Sequence, residues 1–201
     1  MKLNRPLLSL PISLVFCLLL LLGCGQKYSE PHVLIETKFG DIELALYPDR
    51  APKTVAAFLS YVDQGLYNDA SFYRVLNKDN QATDASKSEL IQGGIWQTNP
   101  DKLRTLKGIP HESTQRTGIK HLNGTISLAR EAPGTANSEF FIVIGDQKGY
   151  DSGGVNNPDH LGYAAFGRVV RGMDIVQLLY NKPERDQSFD PPIPIFTIKR
   201  L

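Results

Sequence analysis

Gly124-Thr125-Ile126-Ser127-Leu128, Phe140-Phe141-Ile142-Val143-Ile144 and Ala164-Ala165-Phe166-Gly167-Arg168-Val169-Val170 are short apolar runs, and they decide the fold class. Each is shorter than an ordinary helix of about 11 residues and rich in β-branched or aromatic side chains. Clusters of Gly, Pro and Asn separate them, which is how strands and turns alternate in a β protein. The same pattern continues outward toward the N-terminal side. Val33, Ile35 and Thr37 alternate with Leu34, Glu36 and Lys38; Phe39-Gly40-Asp41 turns the chain; Ile42, Leu44 and Leu46 then alternate again, which predicts a β-hairpin. Helical spacing occurs twice. Val55, Phe58, Leu59, Val62 and Leu66 recur behind Pro52, which suits a first helical turn, and ahead of Gly65, which suits the end. Met173 to Leu179 is the second helix, entered through Gly172 and left before Pro183. Many short strands with two helices predict a mainly β chain whose antiparallel sheet is closed or sandwiched. No internal repeat or second domain is visible.

Asn77 to Ser88 (NKDNQATDASKS) breaks the pattern, being polar and aperiodic between two apolar segments. It reads as a surface loop, mobile unless it packs on something. The four histidines, His32, His111, His121 and His160, share no ligand spacing, and neither HExxH nor a paired-Cys motif is present. Gly93-Gly94 lacks the context of a phosphate loop and reads as close backbone packing. No GxSxG elbow points to a serine hydrolase. Asp151 to Asp159 carries oxygen ligands without the EF-hand spacing and reads as a turn-rich loop.

The N-terminus carries an address. Lys2 and Arg5 precede an apolar stretch from Leu7 to Leu22, and Leu21-Leu22-Gly23-Cys24 closes it. A basic start, an apolar core and a small residue before the cut make a secretory signal over residues 1–23. A cysteine directly after the small residue matches a bacterial lipobox, with Cys24 as the acylated residue and 24–31 as a lipidated tether. A membrane-spanning helix is the alternative, disfavoured by Pro11 and by a length under about 20 residues. Gln26 rather than Asp after Gly25 favours the outer membrane of a cell envelope. The two cysteines are Cys17 and Cys24, so the domain from residue 32 to 201 has no disulfide and must rely on its core. Removing Lys2 and Arg5 takes the formal charge from +1 to −1, which offers no basic face to nucleic acid.

Four segments, in order, resemble the cyclophilin family: Phe72-Tyr73-Arg74-Val75-Leu76; Leu90-Ile91-Gln92-Gly93-Gly94; Gly124 to Arg130 continuing to Asn137-Ser138-Glu139-Phe140-Phe141-Ile142; and Gly162 to Met173. The resemblance implies a closed eight-stranded antiparallel β-barrel capped by two α-helices. It also implies peptidyl-prolyl cis/trans isomerisation of proline-containing polypeptides by a monomer, without metal, nucleotide or covalent intermediate. By the motif matches, Arg74 is the catalytic donor and Gln92 holds the substrate carbonyl and orients Arg74. Phe141 and Leu90 wall the proline slot, and Ala129 offers its backbone. Tyr163 stands where many relatives have His. Tyr150 is the nearest aromatic to the family's Trp position, and Trp96 lies elsewhere in the motif order. Glu139 replaces the family's usual Gln; near Arg74 it is placed to form an ion pair that orients or diverts the guanidinium. The parity of the Phe140-Phe141 pair sends the two rings to opposite faces. A proline-peptide-binding chaperone with little turnover is the competing reading, resting on Glu139, Leu90 and the Asn77 to Ser88 insertion.

Overall fold

The computed structural model describes residues 28–84 and 86–201. The signal segment 1–23, Cys24 and the tether as far as residue 27 lie outside the described residues.

The strands are β1 (His32–Thr37), β2 (Gly40–Leu46), β3 (Ala70–Leu76), β4 (Leu90–Gly94), β5 (Thr125–Leu128), β6 (Phe140–Val143), β7 (Ala164–Arg171), β8 (Glu184–Arg185) and β9 (Ser188–Arg200). The sheet runs β1-β2-β7-β5-β6-β4-β3-β9, and β9 returns to pair with β1, so eight strands close into an antiparallel barrel. Closure removes the free edges an open sheet would present. β8 hangs on β9 as a short hairpin outside the ring.

Two helices sit where the periodicity places them. Helix α1 (Pro52–Asp63) turns Val55, Phe58, Leu59 and Val62 inward, with Pro in its first turn. A second helix, Met173–Tyr180, buries Val176 and Leu179. Two further helices, Pro100–Thr105 and Thr114–Thr117, occupy the long connection between β4 and β5. In chain order these four are α1, α2 (Pro100–Thr105), α3 (Thr114–Thr117) and α4 (Met173–Tyr180). The short pair gives no periodic signal. Their caps are local: Asn99 accepts from the N–H of Lys102, and Ser113 from that of Arg116.

The barrel interior is an aromatic cluster. Phe58 meets Phe140 edge-on at 6.0 Å and Phe166 at 5.0 Å, and Phe72 meets Phe140 at 5.8 Å. Edge-to-face contacts of this kind add to the burial of the rings. The Asn77–Ser88 loop is fastened rather than free. Asn77 and Asn80 cap one another's turn, Gln81 donates to the carbonyls of Asn77 and Ser88, and Ser86 and Ser88 bond the Asn156 side chain across to the next loop. It is therefore a loop that packs on something.

Candidate active site

One strand carries the irregularity on which the site depends. β3 shifts register against both β4 and β9 between Phe72 and Arg74, so Tyr73 is the extra residue of a β-bulge. Strict alternation would place Tyr73 and Arg74 on opposite faces of the sheet. With the bulge, Phe72 and Val75 both enter the barrel core, and Tyr73 and Arg74 both line the outer cleft.

The neighbouring strands alternate normally. In β4, Ile91 points in while Leu90 and Gln92 reach the cleft; in β6, Phe140 and Ile142 point in while Phe141 points out. Cross-strand register sets Arg74 beside Gln92 and Gln92 beside Phe141. With strands about 4.8 Å apart, the guanidinium strand and the Phe141 strand stand roughly 10 Å apart across one face.

The cleft has a volume of about 660 Å³ and takes in all seven of the predicted cleft residues: Arg74, Leu90, Gln92, Ala129, Glu139, Phe141 and Tyr163. Its apolar end is walled by Leu76, Leu90, Phe141 and Tyr150, backed by the buried Val143, with Ala129 and Tyr163 packed against them. Phe141, Tyr150 and Tyr163 meet with centroids 5.1 to 5.3 Å apart, Phe141 and Tyr163 at right angles. Tyr163 is backed by Arg130, whose guanidinium sits 5.3 Å over its ring while bonding Asp159 through two nitrogens and the Gly162 carbonyl. Arg130 and the Leu161 N–H hold the Asp159 carboxyl down at about 2.

Behind Phe141 lies a buried relay. His121 Nδ1 is 2.9 Å from Asp151 and its Nε2 is 3.1 Å from Ser127 Oγ. Burial lowers the imidazole's pKa despite the Asp151 carboxylate, so the ring is held neutral, with Nδ1–H donating to Asp151 and Ser127 donating to Nε2. This has the polarity of a nucleophile relay, but Ser127 is 0% exposed and no scissile carbonyl can reach it. Its role is to hold the ring stacked behind Phe141, 6.0 Å away with the planes 12° apart.

The polar end departs from the sequence reading in two ways. Gln92 does not bond Arg74; its Nε2 donates to Tyr73 Oη at 2.7 Å. Glu139 does not pair with Arg74 either. Its Oε2 accepts from the Tyr73 hydroxyl at 2.7 Å, and its Oε1 accepts from the Ile95 N–H at 2.9 Å and from Ser138 Oγ at 3.1 Å. The bulge explains both, because it presents Tyr73 between Gln92 and Glu139. Gly94 makes the room: at φ 148° it favours glycine, and a Cβ there would lie 2.5 Å from the Glu139 carboxyl. Burial raises the Glu139 pKa in spite of these hydrogen bonds, and burial beside Glu139 pushes the Tyr73 hydroxyl far up. Tyr73 therefore stays protonated and spends its one hydrogen on the carboxylate.

Arg74 itself donates from Nη2 to Gln187 Oε1 at 2.7 Å, and among the described residues no carboxylate lies within ion-pairing distance of it. Tyr73, Tyr150 and Gln187 are among the residues at the site that lie outside the expected set. Tyr73 lies inside the Phe72–Leu76 motif, Tyr150 lies outside the four matched segments, and Gln187 is 113 residues from Arg74 with no local signal. Trp96 stands at the cleft's far rim, 53% exposed, with its ring 5.2 Å from that of Tyr73.

A family model described as cyclophilin type peptidyl-prolyl cis-trans isomerase/CLD matches residues 32–200. A peptidyl-prolyl cis-trans isomerase of Acinetobacter baylyi is 32% identical over 180 residues, covering 89% of this chain and 87% of that protein. Peptidyl-prolyl cis-trans isomerase B of Escherichia coli is 34% identical over 145 residues, covering 72% and 80%. A crystal structure of a cyclophilin type isomerase from Cryptosporidium parvum superposes with a TM-score of 0.66 at 22% identity, covering 85% of this chain and 97% of that one. The same protein has been crystallised in the presence of the dipeptide Ala-Pro, and that structure superposes with a TM-score of 0.64 over 84% and 97% of the two chains.

Proposed function

The chain belongs to the cyclophilin-type peptidyl-prolyl cis-trans isomerases, and from that membership we propose how its cleft turns the X-Pro bond and where in the cell it does so. The bond isomerises over a barrier of about 20 kcal/mol because rotation breaks amide resonance, and unaided it takes tens of seconds. As the amide twists, the prolyl nitrogen becomes pyramidal and its lone pair becomes an acceptor. A donor aimed at that lone pair binds the twisted state better than either planar state, which is what lowers a barrier.

Arg74 is that donor. The single observation that carries this is its uncompensated charge: the guanidinium is held by a neutral amide and its remaining N–H groups line the cleft beside the apolar slot. A hydrogen bond from a charged donor is worth about 1.5–3 kcal/mol, or roughly one to two decades in rate. The proline ring enters the slot of Leu90, Phe141 and Tyr163, where it loses apolar surface to water and one side of the amide is fixed. Ala129 offers backbone contact to the residue before proline, and Gln92 meets the substrate from the neighbouring strand.

Exchange NMR on a short Ala-Pro peptide tests the reading with wild type and Arg74→Ala. Wild type should accelerate exchange and Arg74→Ala should lose at least tenfold. Equal rates in the two proteins would sink Arg74 as the donor. Peptide binding without acceleration would favour the chaperone reading, which the engagement of Gln92 by Tyr73 supports.

The N-terminal address supports action on exported polypeptides from a lipid anchor at Cys24, facing the periplasm or exterior, with the outer membrane favoured. Several acyl chains, each contributing about 0.8 kcal/mol per buried methylene, anchor stably. Palmitate labelling and detergent-phase partitioning of the full chain should both be lost in Cys24→Ser; retention of label in that variant would move the anchor elsewhere.

A further inference from the structure

We infer that Gln187, in the turn between β8 and β9, is a positioning residue for Arg74, and that the Asn77–Ser88 segment braces it from behind. The inference rests on the proposed role of Arg74 as the donor to the twisting amide. Four contacts fix Gln187, one of them from its own N–H to Glu184 Oε2 at 2.9 Å. Its Oε1 accepts from Arg74 Nη2 at 2.7 Å, its Nε2 donates to the Asn80 carbonyl at 3.1 Å, and its own carbonyl accepts from the Val75 N–H at 2.8 Å. One amide therefore joins the catalytic strand, the C-terminal hairpin and the insertion.

The backbone makes the choice of residue informative. Asp186 and Gln187 are the two central residues of the hairpin, at φ 51° and 69°. A two-residue turn with both φ values positive is the type I′ turn, whose second central position strongly favours glycine. A long side chain is held there against the backbone's preference, and strain of that kind points to a function. The chemistry fits as well. Gln is neutral, so it fixes the direction of the guanidinium without cancelling its charge, whereas a carboxylate at the same place would bind the cation and compete with substrate. Its second hydrogen bond is to a main-chain carbonyl of the insertion, so Gln187 cannot swing with Arg74. Asn80 is in turn held by Asn77, and its own Nδ2 donates to the Val75 carbonyl. The insertion that looked like bare surface in the sequence thereby acquires a place in the reaction.

Gln187→Gly is the decisive variant, because it removes the amide while suiting the backbone better than the native residue. It should unfold no earlier than wild type, yet lose roughly tenfold in kcat/KM, with the loss in kcat and KM little changed. Gln187→Asn, which tolerates positive φ but falls one methylene short of Arg74, should lose as much. In an Arg74→Ala background, Gln187→Gly should have no further effect, since nothing remains to position. Wild-type kcat/KM in Gln187→Gly, or an undiminished effect in the Arg74→Ala background, overturns the inference while leaving Arg74 in its role. If Arg74→Ala is itself as fast as wild type, the donor assignment fails first and the positioning role fails with it.

Discussion

Glu139→Gln is the substitution that tests the cleft's chemistry most directly, because it reverses a chain of hydrogen bonds without changing shape. An ionised carboxylate only accepts. The Tyr73 hydroxyl must therefore donate to Glu139, its free lone pair must receive a donor, and Gln92 supplies that donor from Nε2. What Gln92 has left for the cleft is its carbonyl oxygen and its second N–H. The oxygen suits a guanidinium, and while Glu139 is charged a substrate carbonyl can be met only by the one N–H that Tyr73 does not use. An amide at position 139 can donate to Tyr73. The Tyr73 hydrogen then turns to Gln92, the Gln92 amide flips, and its NH₂ group faces substrate. The new amide's oxygen keeps the bonds from Ile95 and Ser138. One hydrogen bond to a substrate carbonyl is worth about 0.5–1.5 kcal/mol net, which predicts a gain of about threefold to tenfold in kcat/KM at neutral pH. Protonating Glu139 should do the same in wild type. Its pKa is raised by burial, so the folded state takes up the proton more readily than the unfolded state does. The associated stability is fully present below the unfolded pKa and is lost as pH rises through the folded one. Wild-type kcat/KM, read by exchange NMR, and wild-type thermal stability should thus both fall as pH rises through the raised Glu139 pKa, and Glu139→Gln should flatten both profiles. A variant with wild-type kcat/KM and an unchanged pH profile would refute the polarity argument.

Other outcomes follow from the packing and the ion pairs. Phe140→Ala empties the centre of the aromatic cluster, where the ring is fully buried; it should cost about 3–5 kcal/mol in urea unfolding, and a loss under 1 kcal/mol would show that the barrel collapses around the gap. Tyr73→Phe should strand Gln92 Nε2 and Glu139 Oε2 together, costing about 1–3 kcal/mol of stability; a neutral result would mean that water replaces the hydroxyl. NMR titration should place the Asp159 carboxyl midpoint at about 2 and return it to the ordinary range in Arg130→Ala, since the depressed value comes from the paired guanidinium. Stability owed to that pair is present above the unfolded Asp pKa and fades as pH falls toward the folded value; an unmoved midpoint in the variant would contradict this.

The parts of this molecule legible in its sequence are those encoded by local period and by ordered motifs. The hairpin of β1 and β2 alternates cleanly, α1 and α4 carry 3.6-residue spacing, and the split of Phe140 from Phe141 follows from strand parity alone. The residues brought together in the cleft came from motif resemblance, and the barrel places them on one face. What stayed hidden depends on geometry that adds or crosses residues. A bulge changes parity at one position, and nothing in Phe72-Tyr73-Arg74 marks Tyr73 as the extra residue. The partner choice of Glu139 follows from that bulge, so it could not be read either. Gln187 reaches Arg74 through the turn of a two-strand hairpin, a contact of long range in sequence and short range in space. The polar insertion has the composition of a free loop, because Asn and Gln amides that bond backbone look the same as solvated ones in a sequence.

The bulge also explains why a cation and an anion lining the same cleft do not neutralise each other. Tyr73 stands between Arg74 and Glu139 and hands each a different neighbour: Gln187 for the guanidinium, itself and two further donors for the carboxylate. The polar groups thus divide into two circuits. One, running from Asn80 through Gln187 to Arg74, ends in an unspent positive charge. The other, running from Glu139 through Tyr73 to Gln92, takes up one N–H of the Gln92 amide. A direct Arg74–Glu139 pair would instead bury both charges against each other and leave the twisting amide no charged donor. Deleting Tyr73 restores regular alternation to β3 with Arg74 still on the cleft face between the inward Phe72 and Val75, but it removes the hydroxyl that engages Glu139 and Gln92. A single extra residue thus keeps the two circuits apart before any substrate arrives.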